Sequence, residues 1–188
     1  MKILPTLSTL ILAISIVGCQ PTSKMLARLT GYYNKPKNET NESIMAYCDK
    51  YDAQYNQLYK LKSDADFKEF VKKYPTIPGV FLFDKDKRKI TVIQKKDCKW
   101  GELNALYNDS IEKIVENDTL LFNDVLSYFL IIDDKIQIQD ADFYVFVAWA
   151  KYFPKFAKGV FEDVNKQRTQ HKLNICHILL NCDKQKDW

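Results

Sequence analysis

The stretch Phe143-Tyr144-Val145-Phe146-Val147-Ala148-Trp149-Ala150 is the most apolar part of the chain after residue 18. A helix that is apolar on every side usually lies buried at the centre of a domain. We therefore predict a central buried helix over residues 140–153, ended by Pro154. The alternative is an exposed aromatic surface for a partner protein or a membrane, made by Phe143, Tyr144, Phe146 and Trp149.

Most of the remaining chain has apolar residues at three- and four-residue steps, which favours helices. The predicted helices cover residues 42–61, 63–74, 103–115, 155–170 and 173–180, with a mainly helical stretch over 120–132. Residues 128–132 could instead form a strand that pairs with residues 135–139. The clear β signal is a hairpin over residues 79–94, where an apolar run rich in phenylalanine and a β-branched run flank a polar turn. The expected fold class is mainly α with one β-hairpin, a helix-rich α+β domain.

The N-terminal stretch is typical of a cleaved signal peptide. One charge, Lys2, precedes an apolar run that is shorter than the about 20 residues of a transmembrane helix. The run ends in Ile16-Val17-Gly18-Cys19, which resembles the lipobox of bacterial lipoproteins. This resemblance implies cleavage before Cys19 and acylation of Cys19, which would anchor the protein in a membrane. Gln20 in place of aspartate favours the outer membrane, again by resemblance.

An ordinary secreted protein is the alternative localisation. Asn38, Asn41, Asn108 and Asn117 each begin an N-x-S/T pattern, which would be a glycosylation acceptor in a eukaryotic secretory protein. On the lipoprotein interpretation, residues 1–18 are the signal peptide and residues 19–41 are the lipidated cysteine and a tether. Residues 42–188 then form a single helix-rich globular domain.

The cysteines that follow Cys19 favour disulfides, because exported chains meet an oxidising environment. They are Cys48, Cys98, Cys176 and Cys182. Three pairings are possible, and sequence proximity favours Cys48–Cys98 with Cys176–Cys182. In a straight helix the Cα atoms of residues 176 and 182 would be about 9 Å apart, beyond the roughly 4.4–6.8 Å that a disulfide allows. The second pair therefore needs a turn near Asn181.

The sequence offers weak candidates for metal binding. His171, Cys176, His177 and Cys182 could be a zinc site, but adjacent residues tend to point in different directions. The acidic residues Asp133, Asp134, Asp140 and Asp142 could bind calcium, but they lack a glycine-containing calcium loop. We therefore predict no metal site and no cofactor.

Motifs for nucleophilic, metal-dependent, phosphate-binding and dinucleotide-binding enzymes are missing from the sequence. A carboxylate-dependent hydrolase could use Glu102, Glu112 or the acidic residues over 133–142, but their spacing selects no pair. Nucleic acid is not an expected partner, because recognition motifs are lacking and the predicted compartment is wrong.

The net charge is +4, and an acidic segment over residues 100–148 lies between basic segments at 84–99 and 149–188. These segments either neutralise each other across the fold or form opposed surface fields. The 11 tyrosines, 11 phenylalanines and 3 tryptophans suit protein contacts. We expect a membrane-anchored cell-envelope lipoprotein that binds a protein without catalysis, as immunity proteins, inhibitors and assembly accessories do. The alternatives are a periplasmic hydrolase and a structural envelope lipoprotein.

Overall fold

The computed structural model of the protein describes residues 33–74, 77–94, 106, 111–135, 141–168 and 173–188. These residues build one mixed sheet of seven strands. Helices pack against both faces of the sheet. The predicted helix-rich fold class is therefore wrong, and the domain is a sheet-rich α/β structure.

The described elements alternate between strands and short helices along the chain. The strands are β1 (Gln57–Leu61), β2 (Gly79–Asp84), β3 (Arg88–Gln94), β4 (Ile111–Leu121), β5 (Phe129–Asp134), β6 (Phe143–Trp149) and β7 (Ile175–Asn181). The helices are α1 (Asn41–Lys50), α2 (Asp64–Lys73), α3 (Phe122–Leu126) and α4 (Pro154–Arg168).

Three parallel strands form the centre of the sheet. The strand order is β4-β3-β2-β6-β7-β1-β5. Strand β7 pairs in parallel with β6 on one side and with β1 on the other. Every other neighbouring pair is antiparallel. As a result the carboxyl ends of β1, β6 and β7 lie at the same edge of the sheet.

The stretch predicted to be a central helix is instead the central strand β6. Val145, Val147 and Trp149 enter the core under α1 and α4, whereas Phe146 and Ala148 enter the core under α2. A strand covered on both faces is apolar at every position, so its pattern matches that of a buried helix. The short length of the run and its β-branched and aromatic residues favour the strand.

Three other predicted helices are wrong at least in part. Residues 175–181 form β7, and residues 111–121 form β4. The helix predicted over 42–61 ends at Lys50, and the chain then turns through Asp52 (φ 48°) into β1. In each case the apolar side chains are explained by strand pairing with distant parts of the chain.

Elements with strong local signals are confirmed. Helix α2 begins where predicted, because the Asp66 backbone N–H donates to the Ser63 hydroxyl at 3.1 Å. The hairpin β2–β3 and helix α4 also lie where the sequence predicted them. Within the stretch 120–132, the helical and strand alternatives both hold in part, since α3 is followed by β5. Strand β5 pairs with β1, and residues 136–139 of its predicted partner lie outside the described residues.

The aromatic residues mainly fill the core. Phe70 contacts Tyr74 and Phe129 with ring centroids 5.0 Å apart in both cases. Phe83 and Phe122 lie against Phe146 in the same core. The abundance of aromatic side chains is therefore largely explained by packing.

The predicted signal peptide, Cys19 and residues 20–32 of the predicted tether lie outside the described residues. Among the helices that the structure does describe, none has both the length and the apolar character needed to cross a bilayer.

Candidate functional site

The carboxyl edge of β6, β7 and β1 is where this sheet gathers polar side chains. Lys151 follows β6, and Asp183 follows β7. Asn181 is the last residue of β7, and Lys60 lies near the end of β1. In open α/β sheets, ligands bind outside the carboxyl ends of parallel strands. This edge is therefore the candidate site.

Residues 33–40 cross the carboxyl edge. The backbone N–H of Asn34 donates to the Tyr152 carbonyl at 2.7 Å, and that of Glu39 donates to the Lys184 carbonyl at 2.7 Å. The Lys186 N–H in turn donates to the Glu39 carbonyl at 2.8 Å. The last part of the predicted tether is thus held against the folded domain, and Glu39 is only 8% exposed.

An ion pair between Glu39 and Lys151 lies at the centre of the edge. Lys151 Nζ is 2.5 Å from Glu39 Oε2, which also accepts a hydrogen bond from the Ser43 hydroxyl at 2.7 Å. Lys151 Nζ is also 5.7 Å from the centre of the Tyr47 ring. Removing one partner of a buried ion pair leaves an uncompensated charge. The pair therefore ties residues 33–40 to the sheet.

Asp183 is a buried carboxyl beside this ion pair. Its Oδ2 accepts hydrogen bonds from the Lys151 backbone N–H and from Asn181 Nδ2, both at 2.8 Å. Burial raises the pKa of Asp183 to about 6, although these hydrogen bonds favour the ionised form; the charge of Glu39 adds to the rise. Asp183 therefore changes protonation just below neutral pH.

Two cavities flank Glu39. The first has a volume of about 310 Å³ and is lined by Glu39, Thr40, Asn41, Glu42, Lys60, Lys186 and Asp187. Lys60 and Asp187 already form an ion pair of 3.1 Å in it. The second has a volume of about 290 Å³ and lies between residues 34–37 and helix α1. It combines lysines with tyrosines, so it can hold an anion and cover an uncharged group.

Comparison with protein-family models, curated proteins and solved structures found no match to this chain.

The four residues of the predicted partner surface do not form a continuous exposed surface. Phe146 and Trp149 are fully buried, and Phe143 and Tyr144 are half-buried. All four belong to the central strand β6, which has neighbours on both sides. This stretch is part of the core, in agreement with the burial that the sequence predicted.

The cysteines in the described part of the chain are buried thiols that form no disulfide. They are Cys48, Cys176 and Cys182. The pairing of Cys176 with Cys182 is wrong, because a six-residue separation along β7 spans about 20 Å. Cys98, the predicted partner of Cys48, lies outside the described residues. Burial raises the pKa of the Cys48 thiol to about 12, so this thiol is protonated and unreactive at neutral pH.

The residues weighed as metal ligands do not come together. His171 and Asp140 lie outside the described residues. Cys176 and His177 are neighbours on β7 and point to opposite faces of the sheet. In the described part of the chain, no group of three or more histidine, cysteine or acidic side chains could hold a metal ion.

The carboxylates weighed for a hydrolase are also dispersed. Glu102 lies outside the described residues, and nothing is described of the Glu112 side chain. Asp133 accepts a hydrogen bond from the Tyr55 hydroxyl at 2.6 Å, whereas Asp142 binds the Asn174 backbone N–H at 2.8 Å. Asp133 lies in β5 and Asp142 immediately precedes β6, and these two strands are three positions apart in the sheet, or about 14 Å.

Sequence reasoning missed the residues of the carboxyl edge. Lys151, Asn181 and Asp183 are the first polar residues after two apolar runs, which is the signal expected at the ends of buried strands. If those runs are interpreted as helices, nothing indicates that the polar residues after them lie close together. Glu39 had no signal, since it belongs to a polar stretch interpreted as tether.

Proposed function

We propose that this protein is a lipid-anchored lipoprotein of the bacterial cell envelope that binds a protein partner without catalysing a reaction. The lipobox resemblance of residues 16–19 supports the anchor, and Gln20 supports the outer membrane over the inner membrane. Release as a secreted protein is the alternative. Immunity proteins, inhibitors and assembly accessories are the classes that fit a small tethered binding domain.

The edge strand β5 is the observation that carries the binding role. Among the strands that the structure describes, it is the last one of the sheet, next to β1. Leu130 is 48% exposed and Ile131 is 47% exposed on this strand. Edge strands present backbone groups that can pair with another chain, and soluble proteins usually protect them with charges or bulges. An edge with two adjacent exposed aliphatic residues suits the addition of an extended partner segment.

The partner segment is expected to be extended and to carry apolar side chains on both of its faces. Leu130 and Ile131 are consecutive, so their side chains point to opposite faces of the sheet. Asp133 and Asp134 make the carboxyl end of β5 acidic, although Lys135 follows them. A basic residue in the partner near this end would therefore strengthen the pairing.

A hydrolase is the weaker candidate. Asp183 has the raised pKa that a general acid needs, but it is only 1% exposed. A general acid must come within hydrogen-bond distance of the substrate atom that receives the proton. A structural role in the envelope remains the third candidate. Unlike the binding role, it does not predict that one particular protein binds at β5.

Site-specific photo-crosslinking in intact cells tests the binding role. A benzophenone amino acid placed at Leu130 or at Ile131 should give the same crosslinked protein band. The matched control is Val115 on the opposite edge strand β4, which is 37% exposed. The band from position 131 should disappear when Leu130→Lys is added. Bands that arise equally from position 115, or no band from β5, would contradict the proposal.

Replacement of Cys19 tests the anchor separately. A Cys19→Ala protein should appear in the soluble fraction, because an acyl chain contributes about 0.8 kcal/mol per buried CH₂ group. Cell fractionation with and without detergent measures this change. A Cys19→Ala protein that still sediments with membranes would show that the lipobox interpretation is wrong.

A further inference from the structure

The second cavity of the carboxyl edge has the features of a binding pocket. It has a volume of about 290 Å³ and lies between residues 34–37, the carboxyl half of α1 and the chain that follows β6. Four lysines and three tyrosines are among the residues that line it: Lys35, Lys37, Lys50, Lys151, Tyr47, Tyr51 and Tyr152. We name this cavity the lysine–tyrosine pocket.

The charges around the lysine–tyrosine pocket leave it positive. Glu39 and Asp183 face it; Glu39 is paired with Lys151, and Asp183, with a pKa of about 6, adds one negative charge at pH 7 against three further lysines. Lys35, Lys37 and Lys50 are exposed, and they form no ion pair with any residue in the described part of the chain. The carbonyl end of α1 adds a partial negative charge, which Lys50 in the last turn offsets. Lys35 and Lys37 therefore remain for an anion.

The tyrosines lie beside the lysines in the lining of the pocket, with Lys50 Nζ 5.2 Å from the centre of the Tyr51 ring. Tyr47 and Tyr51 have ring centroids 4.8 Å apart, and Tyr47 stacks on Trp149 at 5.7 Å. Burial and the neighbouring Tyr51 raise the pKa of the Tyr47 phenol, so it is neutral at pH 7. Tyr47 and Tyr51 therefore give the pocket an uncharged aromatic surface.

We infer that the lysine–tyrosine pocket binds a phosphate ester. Lysine ammonium groups bind phosphate as point charges, and tyrosine rings can cover the uncharged part of the ligand. The volume lies at the small end of the range for ligand pockets, so it suits a head group or a small phosphorylated molecule. This site is separate from the β5 edge and does not depend on the role proposed for that edge.

The phosphate ester has two possible sources, a phospholipid head group and a soluble metabolite. Tyr33, next to the pocket segment, follows Cys19 by 14 residues, so the chain between them spans at most about 50 Å. An acylated Cys19 would thus keep the pocket within reach of lipid head groups.

The experiment uses the full chain carrying Cys19→Ala, so that acylation does not itself hold the protein on lipid. Glycerol 3-phosphate is titrated by calorimetry, and vesicles of phosphatidylglycerol or phosphatidylcholine are tested by cosedimentation. The pocket variant is Lys35→Glu with Lys37→Glu. The control is Lys72→Glu with Lys113→Glu, which changes the net charge equally at exposed positions on α2 and β4.

The pocket variant should lose at least about tenfold in affinity for glycerol 3-phosphate, because each substitution replaces a charge that attracts the ligand with one that repels it. The control should stay within about twofold. Lys50→Gln is a milder change and should weaken binding by about threefold. It tests the same inference if the double variant does not fold.

If the unaltered protein binds glycerol 3-phosphate and also binds phosphatidylglycerol vesicles, and the pocket variant loses both, then a lipid head group is a ligand of the pocket. Binding of glycerol 3-phosphate alone identifies a soluble ester. Equal losses in the pocket and control variants would show general charge attraction and overturn the inference. An unaltered pocket that binds neither ligand would also overturn it.

Discussion

The carboxyl edge of the sheet and the β5 edge differ in what they offer a ligand. At the carboxyl edge, the loops after parallel strands bring together charged and phenolic side chains, and two cavities lie among them. At the β5 edge, a strand that has no further neighbour among the described strands carries two exposed aliphatic residues. The ends of strands thus suit a small anion, whereas the side of the outer strand suits an extended polypeptide.

Among changes to the polar and exposed residues of the two edges, the largest effect is expected from breaking the ion pair of the carboxyl edge. Lys151→Met leaves the Glu39 carboxylate, which is only 8% exposed, without its cation. The free energy of unfolding should fall by about 3 kcal/mol. Urea denaturation at pH 7 measures this change.

Lys158→Met is the matched control for Lys151→Met. Lys158 forms an exposed pair with Glu162 on α4, so its loss should change the free energy of unfolding by less than about 0.5 kcal/mol. Combining Lys151→Met with Glu39→Leu should recover part of the stability, because no buried charge remains. If Lys151→Met lowered the free energy of unfolding by no more than the control does, the ion pair of the carboxyl edge would be as solvated as an ordinary surface pair.

A somewhat smaller effect is expected from Asp183→Asn, and it depends on pH. The unfolded chain releases the Asp183 proton near pH 4, whereas the folded protein holds it until about pH 6. Between these values the folded state binds more protons, so this group lowers the free energy of unfolding as pH rises. The free energy of unfolding falls by about 2–3 kcal/mol in total through this group, and the fall is complete above pH 6.

Asp183→Asn should therefore abolish this fall in stability. Denaturation curves at pH 4.5 and pH 7.5 give the difference for the unaltered protein and for the variant. Asp49→Asn, at an exposed position, is the control and should leave the difference unchanged. A variant with the same pH dependence as the unaltered protein would show that Asp183 is not the responsible group.

The smallest effect is expected at the β5 edge. Ile131→Lys should change the free energy of unfolding by less than about 0.5 kcal/mol, because the side chain is half exposed. Phe129→Lys, two residues earlier on the same strand, should prevent folding, since Phe129 is 4% exposed in the core. Urea denaturation compares the two. A large loss from Ile131→Lys would mean that Ile131 supports the fold and is not kept for a partner.

Local signals correctly predicted the elements that are stabilised by residues close to them in the sequence. Ser63 caps α2, the polar turn after Asp84 closes the β2–β3 hairpin, and α4 follows Pro154. The prediction failed for β6 and β7, because a run that is apolar on every side has the same pattern in a buried helix and in a buried strand. The error then hid the candidate site, which lies at the ends of these two strands.

The sequence by itself determined which stretches are buried, where the helices with clear caps begin, and that residues 16–19 resemble a lipobox. Only the tertiary structure decided that the apolar runs are strands and that Glu39, Lys151 and Asp183 meet at one edge. The physical reason is distance along the chain. Glu39 and Lys151 are 112 residues apart, and nothing near either residue specifies its partner. Their contact arises because strands from distant parts of the chain pair in one sheet.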